Sequence, residues 1–326
     1  MTKSANLNRY NFLSIGQRGV GKTVFLASCY LECHQDKAQQ RLLWFDCENP
    51  EVRQLIDHIL SYVAKTGDYP PATLKVTNFG FDLKQRHQRG SKTVGRVQWW
   101  DTPGEMCDSL NASLKTLLAN ADGCCLFLEA PALVKASDSP LALMKLLRPL
   151  EAVIELLHQD GIDLPLAVIV TKCDYLSPHP LQWQCLKKAL TPLFQKLKAQ
   201  QAPYQVFYSE IPITVIDGIP TLQLIRVGTP IYWLFAEIHK RRSPDYDPQL
   251  APSEYYIPTP PPKVLTPFLG NRHNFHQLNQ IPKRQLLLGL MSLMGLITLG
   301  LALILQYSFK PEAPIPPKPS PPLLNN

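Results

Sequence analysis

Between residues 8 and 242 the apolar positions follow two alternating rhythms. Residues 10–15, 124–129, 166–170 and 205–208 are short, nearly continuous apolar runs, the pattern of strands buried on both faces. Residues 74–83 and 93–100 predict two more strands, joined by the polar stretch 84–92 into a hairpin. Around them, 22–34, 110–118, 141–158 and 181–199 carry apolar residues at helical spacing, and 230–240 predicts a terminal helix with Pro230 in its first turn. Strands alternating with helices predict an α/β domain, a mostly parallel sheet with helices on both faces. Residues 41–69 fit this plan poorly. They exceed a simple connection, and the runs 42–45 and 55–63 predict an added helical piece.

The rhythm stops near residue 242. Residues 1–242 therefore form the predicted domain, 243–285 a Pro-rich linker, 286–305 an apolar run, and 306–326 a short Pro-rich tail. The run 286–305 has twenty residues and no charge, enough for a helix of about 30 Å, the thickness of a bilayer core. Gly289, Gly295, Thr298 and Gly300 lower helix propensity in water but are tolerated in lipid. A single transmembrane helix follows, with the Pro-rich stretch 244–267 as a semi-stiff spacer.

Charge sharpens this division. The formal net charge is +7, but cations exceed anions by only three over residues 1–240 (25 against 22) and by four over 241–326 (8 against 4). The surplus sits beside the apolar run, as expected near a lipid bilayer. No face of Lys and Arg interleaved with aromatics appears, so nucleic acid is not an expected partner. The eight cysteines form no CxxC pair and no zinc set, and read as buried reduced thiols. The first eleven residues carry no apolar core of a secretory signal. His34, His58 and His87 are scattered and read as solvated, so no second catalytic centre is expected.

Three motifs carry chemistry. Gly16-Gln17-Arg18-Gly19-Val20-Gly21-Lys22-Thr23 matches GxxxxGK[ST] between a predicted strand and a predicted helix. Its glycines let consecutive N–H groups point at phosphate oxygens; Lys22 adds a compact charge, and the Thr23 hydroxyl suits Mg²⁺. Asp101-Thr102-Pro103-Gly104 follows the strand 93–100 directly. A carboxylate there can hold Mg²⁺ through water, and Gly104 can present its N–H to a γ-phosphate. Thr171-Lys172-Cys173-Asp174 ends the strand 166–170 and reads as the [NT]KxD element. Asp174 can accept two hydrogen bonds from guanine that adenine cannot donate, and Lys172 packs along the nucleotide.

In this order and spacing, over residues 8–210, the motifs resemble those of a Ras-like P-loop GTPase of the translation-factor-related class. The resemblance implies a six-stranded P-loop GTPase sheet, GTP or GDP with Mg²⁺, and two switch segments. It also implies roles: Lys22, Thr73 and Gly104 in catalysis, and Thr23, Thr73 and Asp101 around the metal. Thr73 stands just before the hairpin, where the family keeps its switch threonine, with Thr66 and Thr77 as competitors. Ser209-Glu210 half matches the family's last nucleotide motif and makes Ser209 a binding residue. One departure stands out. Glu105 follows Gly104 where Ras-like chains often carry the Gln that orients water, and Arg18 is a candidate cation within the loop.

The expected function is a membrane-anchored, Mg-dependent GTP switch that hydrolyses slowly or with help from a protein partner. Because GTP is cytoplasmic, the domain is expected on that side of a single-pass anchor. The alternatives are a non-hydrolysing GTP-bound membrane scaffold and an ATP-dependent P-loop phosphotransferase.

Overall fold

The computed structural model describes residues 8–35, 43–47, 49–71, 75–87, 90–106 and 112–242. In chain order the strands are β1 (Asn8–Ile15), β2 (Leu43–Asp46), β3 (Thr77–His87), β4 (Gly90–Asp101), β5 (Gly123–Glu129), β6 (Leu166–Thr171) and β7 (Tyr204–Tyr208). They form one sheet in the order β2-β3-β4-β1-β5-β6-β7. β1 runs parallel to β4 and β5, and β6 parallel to β5 and β7. Only β3, against β2 and β4, is antiparallel.

The nearly continuous apolar strands split by parity, because successive side chains leave opposite faces. Phe12, Cys125, Phe127, Ala167 and Ile169 face a core shared with α1 (Lys22–Gln35), α2 (Pro50–Thr66) and α7 (Thr229–Arg242). Leu13, Ile15, Cys124, Leu126, Val168 and Val170 face the other side. That side is covered by α3 (Ala112–Ala119), α4 (Ala130–Ala136), α5 (Pro140–Gln159) and α6 (Pro180–Ala199). Register then aligns the strand ends. Asp101 stands opposite Ser14, Leu126 opposite Ile15, Val170 opposite Leu128 and Tyr208 opposite Val170. Loops leaving these ends converge at the carboxyl edge of the sheet, beside β1, where the strand order turns.

Three features depart from the predicted plan. The sheet has seven strands where six were implied, and the extra one is β2. The run 42–45 was expected to be helical, yet Leu43–Asp46 pairs along the open edge of β3, with Phe45 opposite Leu83. Four apolar residues cannot separate helix from strand by period; an available edge decides. The second half of the same segment is helical. Asn49 caps α2 by accepting from the Glu51 N–H at 2.8 Å, Pro50 opens it, and Gly67 closes it in the left-handed region (φ 71°).

The second departure is a hairpin that was not predicted, β8 (Ile213–Ile216) and β9 (Ile219–Leu222). Its turn, Asp217-Gly218, has φ of 52° and 79°, and Asp-Gly between apolar pairs is a strong hairpin signal. The third is α4, also unpredicted. β3 and β4 also continue into the polar stretch expected as their connection, through cross-strand contacts such as Lys84 Nζ to Thr93 Oγ1 at 2.9 Å.

His34 was read as solvated but is half-buried. Its Nδ1 lies 2.9 Å from the Phe45 carbonyl, its ring stacks on Tyr30, and it joins α1 to β2. His58 and His87 are exposed. The described cysteines carry free thiols, all buried except the half-exposed Cys185. The linker 243–285, the apolar run 286–305, the tail 306–326 and Thr73 lie outside the described residues. Among those described, no helix is long and apolar enough to cross a membrane.

Candidate functional site

β1 delivers the chain to a loop whose backbone only glycine tolerates easily. Gly19 and Gly21 have φ of 77° and 94°, in the left-handed region. Gly16 is restricted by space instead, since a Cβ there would lie 2.7 Å from the Phe127 carbonyl oxygen. Lys22, 6% exposed, folds back over the loop and donates to the carbonyls of Gly16 (2.8 Å) and Gln17 (3.0 Å). This fixes the ammonium at the mouth of α1, where the first N–H groups and the helix dipole already favour an anion. Gln17 donates to the Lys145 carbonyl at 3.3 Å, and with Val20 it lines a smaller neighbouring cavity against Phe127 and Leu133.

The Asp101 segment is clamped to β1. Trp99 Nε1 donates to Ser14 Oγ at 2.7 Å, and Thr102 Oγ1 to the Ser14 carbonyl at 2.5 Å. Asp101 is fully buried and accepts from Thr23 Oγ1 at 2.5 Å, so two hard oxygens from separate motifs meet. Gly104 lies backbone-on-backbone against the phosphate loop, because a Cβ there would be 2.1 Å from Arg18 N. Beside it Arg18 and Glu105 form an ion pair at 3.3 Å with side chains 61% and 55% exposed. Arg18, the candidate cation of the loop, is thus an exposed charge with Glu105 as its partner. Such a pair adds little stability.

The other end of the cleft begins at Thr171. Its buried hydroxyl reaches two carbonyls, Val20 at 2.6 Å and Leu128 at 3.0 Å, and so braces β6 against the phosphate loop and β5. Lys172 adopts a left-handed φ of 57°, and its ammonium pairs with Glu129 at 2.9 Å. The chain then makes a 3₁₀ turn, Cys173–Tyr175, that presents Asp174 half-buried. Burial raises the Asp174 carboxyl above its ordinary value, against opposing hydrogen bonds from backbone N–H groups, including that of Ile211, and the nearby Lys172. Glu210 is raised too, by burial first and then by Asp174. Ser209 is held from both sides: its N–H donates to the Val170 carbonyl at 2.8 Å, and its carbonyl accepts from the Cys173 N–H at 3.2 Å. Its buried hydroxyl has no hydrogen-bond partner among the described residues.

One cleft, partly open to solvent, joins these ends. It is lined by Arg18, Gly19, Gly21, Lys22, Thr23, Gly104, Thr171, Lys172, Asp174 and Ser209. Gly16, Gln17, Val20 and Asp101 support it from behind. Among the described residues no group of three or more His, Cys, Asp or Glu could hold a metal. Sequence reasoning missed Tyr69, Pro70, Pro71 and Ile211, which also line the cleft. Pro70-Pro71 after a helix-ending glycine signals a stop, but no pattern marks Tyr69 as facing a site.

No protein-family model matches the chain, and no curated protein matches it. Among solved structures it is similar to that of the Arl6 BBS3 small GTPase from Trypanosoma brucei with bound nucleotide analogue GppNp. The two share 13% identity over 72% of this chain and 100% of that one, at a TM-score of 0.38. What the cleft can do therefore follows from its own residues.

Proposed function

We propose that the cleft binds GTP and GDP with Mg²⁺ and that the chain is a membrane-anchored nucleotide switch. The observation that carries this reading is the meeting of a phosphate loop and a half-buried Asp174 in one cleft. Lys22 and the N-terminus of α1 neutralise phosphate charge at one end. At the other, a purine with adjacent N–H and amine donors satisfies Asp174, whereas adenine leaves the carboxylate buried without them.

Thr23 and Asp101 suit Mg²⁺, which takes few protein oxygens and completes its shell with phosphate and water. When bound, the ion would offset charge on the terminal phosphates. Gly104 can bring its N–H to the γ-phosphate without a side chain in the way. Glu105 lacks the amide that would orient water, so hydrolysis is slow or needs a protein partner. A second reading, a scaffold that keeps GTP unhydrolysed, is favoured by the Arg18–Glu105 pair, which engages the residue beside Gly104. In either reading the apolar run 286–305 anchors the chain, with the nucleotide domain on the cytoplasmic side. Deleting it should release the protein from membranes under a carbonate wash, and continued sedimentation would count against the anchor.

The test is competition among GTP, GDP and ATP for the full-length chain in detergent with Mg²⁺. A guanine preference of a hundredfold or more, about 2.7 kcal/mol, is expected. Equal binding of ATP would overturn the reading in favour of a phosphotransferase. Single-turnover hydrolysis then separates switch from scaffold.

A further inference from the structure

The segment that leaves α2 is fixed more firmly than a connecting loop requires. Gly67 closes the helix, with its N–H on the Val63 carbonyl at 2.8 Å. Thr66 Oγ1 donates to the Tyr62 carbonyl at 2.8 Å and accepts from the Asp68 N–H at 3.1 Å, which sets the turn into Tyr69. α2 itself packs on β9, and a Cβ on Gly67 would meet Pro220 at 3.9 Å. The predicted helix α2 and the unpredicted β8–β9 hairpin therefore support each other next to the cleft.

From that platform Tyr69 reaches across to the loop after β7. Its half-buried hydroxyl donates to the Ile211 carbonyl at 2.7 Å, over a separation of 142 residues. The backbone N–H of the same Ile211 lies beside the Asp174 carboxylate and works against the rise that burial gives its pKa. Tyr69, Pro70 and Pro71 line the cleft at this end, together with Ser209 and Ile211. Asp174 and Tyr175 lie close enough to the phenol to add to the rise that burial gives its pKa.

We propose that Tyr69 is a latch and positioning residue for the nucleoside: its hydroxyl sets Ile211, and through it Asp174, while Tyr69, Pro70 and Pro71 close the base end of the cleft. The inference rests on the guanine-nucleotide reading above. Tied at Ile211 and stiffened by two fixed proline φ angles, the strap formed by these three residues holds the wall of the cleft against a bound nucleotide. Loss of the bond therefore speeds release. It also blurs discrimination among purines, because the Ile211 backbone beside Asp174 is no longer held.

The experiment is dissociation of fluorescent GDP from the full-length chain, with the GDP-to-IDP affinity ratio as a second readout, since inosine lacks the exocyclic amine. Tyr69→Phe keeps the ring and removes only the donor. Release is expected to quicken about fivefold to tenfold, the worth of one net hydrogen bond, and the GDP-to-IDP ratio to fall. Tyr69→Ala should release faster still; if it does not fold, Tyr69→Phe decides alone. Wild-type release and an unchanged ratio in Tyr69→Phe, where Asp174→Asn has lost GDP, overturn the latch and leave the nucleotide reading standing. Faster release with an unchanged ratio overturns the positioning role. If the wild-type chain binds no guanine nucleotide, both fall.

Discussion

At the phosphate end of the cleft, eight consecutive residues, Gly16 to Thr23, supply loop, cation and hydroxyl, and a clamped strand end adds Asp101. The opposite end draws on three segments far apart in the chain, around Tyr69, Asp174 and Ser209. The phosphate end works through backbone shape and a charge already engaged by carbonyls. The other end presents Asp174, whose carboxyl the fold partly desolvates. A local motif can be rigid by itself, whereas a site assembled across the sheet depends on every contact that aligns its pieces.

Lys22→Ala should break the phosphate end most severely. Removing the ammonium that folds back over the loop is expected to weaken triphosphate binding at least a hundredfold, about 2.7 kcal/mol, with GTP and ATP analogues affected alike. Isothermal titration would check it, and undiminished binding would remove the loop from the site.

Asp174→Asn should break the base end and leave the phosphate end intact. Guanine affinity is expected to drop about tenfold to a hundredfold, with preference moving toward xanthine, whose C2 carbonyl can accept from the new amide. The free protein should respond in the opposite sense. Because burial raises the Asp174 carboxyl, its contribution to stability is full below the ordinary value of 3.8 and is lost as pH rises through the raised folded value. At neutral pH the ligand-free variant should therefore melt at or above the wild-type temperature, with the difference narrowing in acid. Guanine binding by the wild type needs the ionised form. Its affinity should be level well above the raised value and fall by up to about tenfold per pH unit below it. A variant that melts much lower would show Asp174 to be structural.

Arg18→Ala is the smallest expected effect. The Arg18–Glu105 pair is exposed, so stability should change by less than about 0.5 kcal/mol and nucleotide affinity by less than about threefold. Single-turnover hydrolysis is the informative readout. An unchanged rate assigns the pair to the surface, and a large loss would make Arg18 part of the phosphate end.

The phosphate end was legible in the chain because its requirements are local. Glycine at 19 and 21 answers positive φ at those positions, and Lys22 and Thr23 follow at the start of the helix that holds them. Asp101 and Asp174 were legible for a related reason, each standing at the end of a predicted strand. The helices of residues 141–158 and 181–199 appeared within one residue of their predicted ends, because amphipathic period and a Pro at the first turn agree. The run 42–45 was misread because four apolar residues fit either period. The 213–222 hairpin was missed although its Asp-Gly turn was visible.

By itself, then, the amino-acid sequence determined the alternation of strands and helices, the phosphate loop and the carboxylates at the strand ends, since each depends on neighbours a few residues away. Tertiary structure alone decided that β2 would extend the sheet, that Gly104 would lie on the Arg18 backbone, that Thr171 would brace Val20, and that Tyr69 would meet Ile211. Those contacts join residues from tens to more than a hundred positions apart. No local period or propensity encodes them; they exist because the parallel register brings the carboxyl ends of β1, β4, β5, β6 and β7 to one edge, and packing then chooses which side chains meet there.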